Sequence, residues 1–433
     1  MLKKILGSKF AKTTSVYTIT KFVNSGIPFL LLPILTRYLT TEEYGQLSTF
    51  NATVSFLIPF LGMSIESAIQ RKIVEGKERE SKEYIFNSLI IFSIATVIVS
   101  VILFILSEQV TRYTAIPMSF LPYIIILTAS TCLFNTVLSF FQIKEKPKCY
   151  AILQCSCTVL NAGLSVTLIV GLKMGLSGRI YGISLSMLVF AVISFVIIYQ
   201  YIKNNQNRIN EAFIRDEIFN FAIPLIPAAV KSTVLTYMDR IFLTNMIGTA
   251  TTGVYSLGNQ VSLPILFFEQ AFNLAYVPWL FRKLEDNKKS NKLKIVKITY
   301  IYYIAITIIA LLWSVLAEPL ISIITDSGYE TAHIYVIWLS MGYAFIGMNM
   351  MVVNYFDYVK KLNLYAVVSI ITVALNILLN VILINRNGSI GAAEATCICN
   401  AVSFIITWIL SMKVCPMPWF YYLSRKNSKD TTE

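Results

Sequence analysis

The sequence is poor in charge and nearly devoid of histidine. Charged side chains make up 14% of the 433 residues and apolar side chains 56%, whereas a typical soluble domain is about 25% charged. This balance excludes an ordinary soluble enzyme, and it excludes a disordered chain, which requires low hydrophobicity. The one histidine, His333, excludes a histidine-rich metal site, and the seven cysteines have neither zinc-binding spacing nor a disulfide framework.

Catalytic motifs are also missing. The sequence contains no glycine-rich phosphate-binding loop ending in Lys and Ser or Thr, no His-Glu-x-x-His motif, and no Ser, His and Asp set for a triad. No polar stretch is long enough to fold as a separate soluble domain. We therefore expect neither an enzyme nor ATP-driven transport by this chain alone, and we expect no cofactor.

Long apolar runs separated by charged clusters dominate what the sequence does contain. About 20 apolar residues span a bilayer as a helix, and the runs predict an all-α polytopic membrane protein with about 12 transmembrane helices. The predicted spans are 13–36, 45–69, 84–106, 120–142, 150–172, 177–200, 219–243, 253–280, 298–323, 332–357, 364–385 and 390–412.

The basic residues indicate how these spans are oriented. The net charge of +13 would point to nucleic acid in a soluble protein, but 28 of the Lys and Arg residues lie on alternate segments that include both termini. The intervening segments hold five: Arg37, Arg112, Lys173, Arg179 and Arg386. Because cytoplasmic loops carry the excess of Lys and Arg, both termini are predicted to be cytoplasmic, and no nucleic-acid partner is expected.

An internal repeat is visible in the sequence. The motif Gly-x-x-Ser-x-x-Asn begins span two at 45–51 and begins span eight at 253–259, which is 208 residues and six spans later. A fainter echo pairs 175–178 with 388–391. An even number of spans between copies gives both copies the same orientation, so a pseudo-two-fold axis would run along the membrane normal.

The repeat and the loop charges together predict the domain organisation. We expect two six-helix halves around a central cavity, which is the architecture of a transporter. The N-terminal half is 1–202, a cytoplasmic linker follows at 203–218, the C-terminal half is 219–412, and 413–433 is a basic cytoplasmic tail.

Several polar side chains lie deep inside the predicted spans. Such groups cost at least about 2.5–3.5 kcal/mol each on insertion scales, so they face a cavity or a partner. The polar residues singled out within the spans are Lys21, Asn24, Glu66, Lys231, Asp239, Arg240 and Glu269. Lys231 and Glu269 are predicted near mid-membrane, Glu66 is shallower, and Asp239 and Arg240 lie toward the outer end of span seven. Some belong to polar stripes at helical spacing, such as Ser262, Glu269, Asn273 and Tyr276. We expect these stripes to line a water-filled passage. Alternatively, Lys–Glu pairs hold the helices of the bundle together, and the side chains of Asp239 and Arg240 reach out to the membrane interface.

Three segments carry a resemblance to a known family. The segment 32–45 resembles the opening signature of the polysaccharide-transport branch of the multidrug/oligosaccharidyl-lipid/polysaccharide (MOP) exporter superfamily, the Wzx-type O-antigen flippases. Met238-Asp-Arg-Ile-Phe-Leu243, followed by Gly253-Val-Tyr-Ser256, is similar to that family's seventh and eighth helices. The segment 388–393 is similar to the start of its twelfth helix.

The resemblance implies a flippase of the bacterial cytoplasmic (inner) membrane. Its cargo would be an undecaprenyl-diphosphate-linked oligosaccharide, the repeat unit of O-antigen, capsule or exopolysaccharide, moved from the inner to the outer leaflet by alternating access. The candidate cationic substrate site is then Lys21, Asn24, Lys231 and Arg240. H⁺ or Na⁺ would be the coupling ion, with Glu66, Asp239 and Glu269 as candidate carboxylates. The expected partners besides membrane lipid are a polysaccharide polymerase and a chain-length regulator.

Other functions stay open at this point. A drug/cation antiporter of the same superfamily is the main alternative, although the deep lysines favour an anionic cargo. A glycan polymerase would need a large external loop, and the longest outer segments, near 107–119 and 324–331, are short. A non-transporting protein of the glycan-assembly machinery would have no use for deep charges.

Overall fold

A computed structural model of the chain describes residues 9–62, 78–203, 223–286, 288–326 and 328–419, together with positions 209, 215 and 421. Within these residues the secondary structure is helical, and no β-strand occurs. The all-α fold predicted from the sequence is therefore confirmed.

Eight α-helices lie in the described residues before the 203–218 linker. They are α1 (Lys9–Leu30), α2 (Leu32–Tyr38), α3 (Thr41–Gly62), α4 (Glu78–Ile105), α5 (Ser107–Thr114), α6 (Leu121–Ile143), α7 (Pro147–Val166) and α8 (Gly175–Ile202). The break between α1 and α2 falls inside predicted span one. Pro33 stands in the first turn of α2, where its missing N–H costs no helical hydrogen bond.

Six longer helices follow the linker. They are α9 (Ile223–Met246), α10 (Thr249–Glu285), α11 (Lys289–Ile324), α12 (His333–Tyr358), α13 (Leu362–Asn387) and α14 (Ile390–Val414). Where the structure describes them, the residues of every predicted span are mainly helical. In the part of the chain that the structure describes, nine helical segments are long and apolar enough to cross a membrane. The chain is a multi-pass membrane protein, as its apolar runs predict.

The chain divides by packing into two compact units. The first contains the residues up to Ser256 together with Ile324–Gly328, and the second contains Leu257–Ile323 and the residues from Tyr329 onward. Helix α10 therefore contributes its first turns to one unit and its remainder to the other. The predicted halves divide instead at 203–218, most of which lies outside the described residues, and those halves stay a prediction.

In the first unit, α8 packs on α6 and α7, while α3 packs on α6 and α9. Phe134 of α6 and Phe190 of α8 meet edge to face, with ring centroids 6.0 Å apart. Because lipid tails are as apolar as these side chains, close van der Waals packing holds the helices together, and burial from water contributes little.

In the second unit, α14 packs on α12 and α13, and the core is rich in aromatic rings. Trp419, just beyond α14, is buried among Tyr300, Tyr355 and Trp408. The hydroxyl of Tyr300 donates a hydrogen bond to the carbonyl of Trp419 at 2.9 Å. The segment that follows α14 is thereby fixed to α11 and α12.

The two copies of the Gly-x-x-Ser motif meet within the first unit. Gly45 of α3 lies so close to Thr249 that an added Cβ would be 2.0 Å from the Thr249 carbonyl oxygen. Gly253 of α10 lies equally close to Thr41, again with 2.0 Å from the ideal Cβ to the carbonyl oxygen. Each threonine precedes the glycine of its own motif by four residues. Exchanging the two copies of the motif therefore converts the Gly45–Thr249 contact into the Gly253–Thr41 contact. A pseudo-two-fold axis requires this relation.

Candidate functional site

Asp239 and Arg240 form a buried ion pair near the end of α9. The Arg240 Nη1 atom lies 2.8 Å from Asp239 Oδ1, and only 5% and 6% of the two residues are exposed. The hydroxyl of Tyr255 on α10 donates to Asp239 Oδ2. The guanidinium also stacks between Tyr237 and Tyr255, at 5.2 and 5.8 Å from the ring centroids. The two charges are held inside the unit and do not snorkel to an interface.

This arrangement limits what Arg240 can bind. Asp239 accepts hydrogen bonds from the Arg240 side chain, the Arg240 backbone N–H and Tyr255. These donors occupy the carboxylate of Asp239 and hold it against the guanidinium. An anionic cargo would have to compete with Asp239 before Arg240 could contact it.

Lys21 and Asn24 lie on α1, in predicted span one. The side chain of Lys21 is exposed, and within the described residues it makes no ion pair. Asn24 is partly buried, and its Oδ1 atom accepts a hydrogen bond from the Thr158 hydroxyl of α7. Lys21 is therefore open to a ligand, whereas Asn24 joins α1 to α7.

Two other predicted residues receive no side-chain description. Lys231 lies within α9, but its side chain is outside the described part of the structure. Glu66 follows the last described residue of α3 and lies outside the described residues altogether. The predicted roles of these two residues stay predictions.

Glu269 is fully buried in the second unit. Both of its carboxylate oxygens lack a hydrogen-bond partner among the described residues. Gly347 of α12 packs directly against it, since an added Cβ there would be 2.7 Å from the Glu269 carboxyl carbon and 2.6 Å from the Tyr302 hydroxyl. The Tyr302 ring stacks on Phe272 at 4.5 Å. The carboxyl group thus sits in a narrow site beside Gly347, where a side chain with a Cβ would not fit.

The polar stripe around Glu269 differs from the prediction. Ser262 and Tyr276 are buried with Glu269, and the Asn354 amide of α12 donates to Asn273 Oδ1 at 2.9 Å. The stripe therefore packs against neighbouring helices of the second unit and does not line an open passage. Small residues such as Gly347 let those helices approach closely enough to cover it.

Arg179 is a polar residue whose position the sequence did not indicate. It was expected in an outer loop, but it lies within α8, and its Nη1 atom donates to Asn161 Oδ1 at 2.9 Å and to the Ser165 hydroxyl at 2.5 Å. Asn161 and Ser165 are four residues apart on α7, so they share a helix face. The four-residue spacing of Asn161 and Ser165, followed by an arginine near the start of the next helix, was the sequence feature that could have indicated this contact.

Comparison with known proteins identifies the family. A family model described as polysaccharide biosynthesis protein matches residues 10–284, which is more than half of the chain. The chain belongs to this family. A second family model, MatE, matches residues 224–382. The resemblance to the polysaccharide-transport branch of the MOP exporter superfamily is confirmed.

Similar proteins cover most of this family member's length. Lsg locus protein 1 of Haemophilus influenzae is 27% identical over 84% of this chain and 88% of its own. The capsular polysaccharide biosynthesis protein CapF of Staphylococcus aureus is 24% identical over 87% of this chain and 93% of its own.

Solved transporter structures have the same fold. The lipid II flippase MurJ, in an inward closed conformation, aligns with a TM-score of 0.72 at 13% identity, over 93% of this chain and 87% of MurJ. An inward-facing multidrug resistance MATE transporter of the MOP superfamily aligns with a TM-score of 0.69 at 15% identity, over 90% of this chain and 94% of the transporter. The prediction of a transport protein and not an enzyme is confirmed at the level of family and fold.

Proposed function

We propose that the chain moves an undecaprenyl-diphosphate-linked oligosaccharide from the inner to the outer leaflet of a bacterial cytoplasmic membrane. The family match over residues 10–284 and the likeness to CapF, named for capsular polysaccharide biosynthesis, support a polysaccharide repeat unit as cargo. The fold shared with the lipid II flippase supports a lipid-linked form of that cargo. Both termini would be cytoplasmic, and a polymerase and a chain-length regulator would use the exported unit.

The exposure of Lys21 inside a predicted membrane span is the observation that carries this proposal. A cation inside a membrane span is costly unless it faces a cavity or an anion, and Lys21 is exposed without an ion pair among the described residues. A diphosphate is the complementary ligand, because charge-assisted hydrogen bonds to phosphate oxygens are strong. The polyprenyl tail can remain in lipid while the charged headgroup crosses past Lys21.

Complementation of a deletion strain tests the role of Lys21. We expect Lys21→Ala to abolish surface glycan at normal membrane levels of the protein, and Lys21→Arg to retain part of it. Lys289→Ala is the matched control, because Lys289 is an exposed lysine at the start of α11 outside the predicted spans. Full export by a well-expressed Lys21→Ala/Lys231→Ala double variant would contradict the cationic site.

We also propose that transport is coupled to protons through Glu269. An ionised carboxylate buried without a partner is so costly that the group takes up a proton instead, and Glu269 has no hydrogen-bond partner among the described residues. Sodium is a poorer ligand for this site, since hard cations bind several oxygen atoms at once. Asp239 is a weaker candidate because three hydrogen-bond donors already occupy its carboxylate.

A drug/cation antiporter is the second candidate function, and the MatE match over residues 224–382 favours it. A buried carboxylate such as Glu269 also suits competition between a proton and a cationic cargo. Normal surface glycan in the deletion strain, together with new sensitivity to cationic drugs, would support this function. Loss of glycan without a change in drug sensitivity would oppose it.

A further inference from the structure

A groove opens between α4 and α8 on the first unit. Its volume is about 500 Å³, and its walls are mainly apolar, with Phe86 and Ile90 on α4 and Phe195 and Ile202 on α8. The lining positions run from 86 to 94 and from 195 to 203, so each side rises by roughly 12 Å at 1.5 Å per residue. A groove of this size and polarity suits a single hydrocarbon chain.

One end of the groove is cationic. Lys203, the residue that follows α8, belongs to the lining, is exposed, and makes no ion pair with a described residue. Two more ammonium groups lie near the same end of α8, since Lys82 and Lys144 stand 5.3 and 5.5 Å from the ring centroid of Tyr201. The loop charges predict that this end faces the cytoplasm.

We propose that this groove binds an anionic phospholipid of the cytoplasmic leaflet. One acyl chain lies between α4 and α8, and the phosphate contacts Lys203. Basic residues at the membrane surface attract anionic lipid with about 1 kcal/mol per Lys, so the charged end gives selectivity that the apolar walls alone would not. The bound lipid bridges two helices of the first unit and stabilises their contact.

The transported cargo is a poorer occupant of this groove. A polyprenyl chain is several times longer than an acyl chain. Moreover, the candidate cargo residues Lys21, Lys231 and Arg240 lie on α1 and α9, and neither helix lines the groove. The site is therefore separate from the proposed transport function, and either can fail without the other.

Native mass spectrometry of the purified full chain tests the proposal. The chain is titrated with phosphatidylglycerol or phosphatidylcholine of identical acyl chains. We expect about fivefold stronger retention of phosphatidylglycerol, the equivalent of about 1 kcal/mol. Lys203→Gln should remove the preference and Lys203→Arg should keep it. Lys173→Gln, at an exposed lysine outside the groove, is the matched control.

A groove-filling variant tests the position of the lipid. Ser93 lines the groove, so Ser93→Phe should reduce retention of both lipids, whereas Ile102→Phe, at an exposed residue of α4 outside the lining, should not. Equal retention of the two lipids by the unchanged chain, or full retention by Ser93→Phe, would overturn the proposal.

Photocrosslinking covers the case in which Ser93→Phe does not fold. A photoreactive phenylalanine analogue at Phe195 should form adducts with phosphatidylglycerol in native membranes. Adducts with zwitterionic lipid alone, or with a polyprenyl diphosphate, would overturn the proposal.

Discussion

The hydroxyl of Ser256 donates a hydrogen bond to the hydroxyl of Ser48, with 2.7 Å between the oxygens. The two serines hold the same position in motifs that are 208 residues apart. The bond therefore joins the equivalent serines of the two copies of the motif. Gly45 and Gly253 allow the approach, because neither backbone carries a Cβ where the helices meet.

Alanine at either glycine should destabilise the chain. An added Cβ at Gly45 or Gly253 would be 2.0 Å from a carbonyl oxygen, and overpacking of this kind typically costs about 1–3 kcal/mol. The unfolding temperature in detergent should therefore fall, by similar amounts for the two variants. Gly163→Ala is the control, since nothing lies within 4 Å of its added Cβ. Unchanged melting of both variants would show that the helices do not meet at these glycines.

The sequence was sufficient to predict the helices and the repeat. Spans follow from apolar runs, and the alternation of basic loops follows from membrane insertion, so both are properties of the linear chain. The sequence also indicated that Ser48 and Ser256 hold equivalent positions, because matching motifs six spans apart imply matching positions in a symmetric fold.

Breaking the Asp239–Arg240 pair should be costly. Asp239→Ala leaves the Arg240 guanidinium buried without its counter-charge, and removing one partner of a buried pair typically costs about 3–5 kcal/mol. We expect low membrane levels of Asp239→Ala and partial recovery in Asp239→Ala/Arg240→Ala. The measurement is a double-mutant cycle on thermal unfolding. Additive effects of the two substitutions would contradict a direct interaction.

Tyr255 is a side chain that sequence reasoning did not connect to this pair. Its hydroxyl bonds to Asp239 from a different helix, and Arg179 likewise reaches Asn161 and Ser165 across a helix contact. Such contacts depend on how two helices cross, which periodicity does not specify. The burial of the Glu269 stripe was missed for the same reason.

Glu269→Gln should separate proton coupling from folding. Glutamine has nearly the same shape and no titratable group, so the variant should reach normal membrane levels. If Glu269 carries the coupled proton, export by the variant should lose its dependence on the proton gradient, with no new dependence on sodium. The measurement is transport in vesicles at several imposed pH gradients. An unchanged gradient dependence would assign coupling to another residue, such as Glu66.

Cysteine labelling tests the predicted orientation. Cys149 is exposed at the start of α7, on the predicted cytoplasmic side. Burial raises the pKa of the Cys415 thiol, which lowers its thiolate fraction at neutral pH and slows its reaction. A membrane-impermeant maleimide should therefore label inside-out vesicles fastest at Cys149, and Cys149→Ser should remove that phase. Raising the pH should reduce the difference in labelling rate between Cys149 and Cys415. Equally fast labelling of Cys149 in right-side-out vesicles would reverse the orientation.

The leaflet that holds the lipid-linked repeat unit is the most direct test of the proposed function. Cells lacking the gene should accumulate the undecaprenyl-diphosphate-linked oligosaccharide in the inner leaflet and lose surface glycan, and the intact gene should restore both. Outer-leaflet repeat units at normal levels in the deletion strain, with no other flippase present, would contradict the proposal.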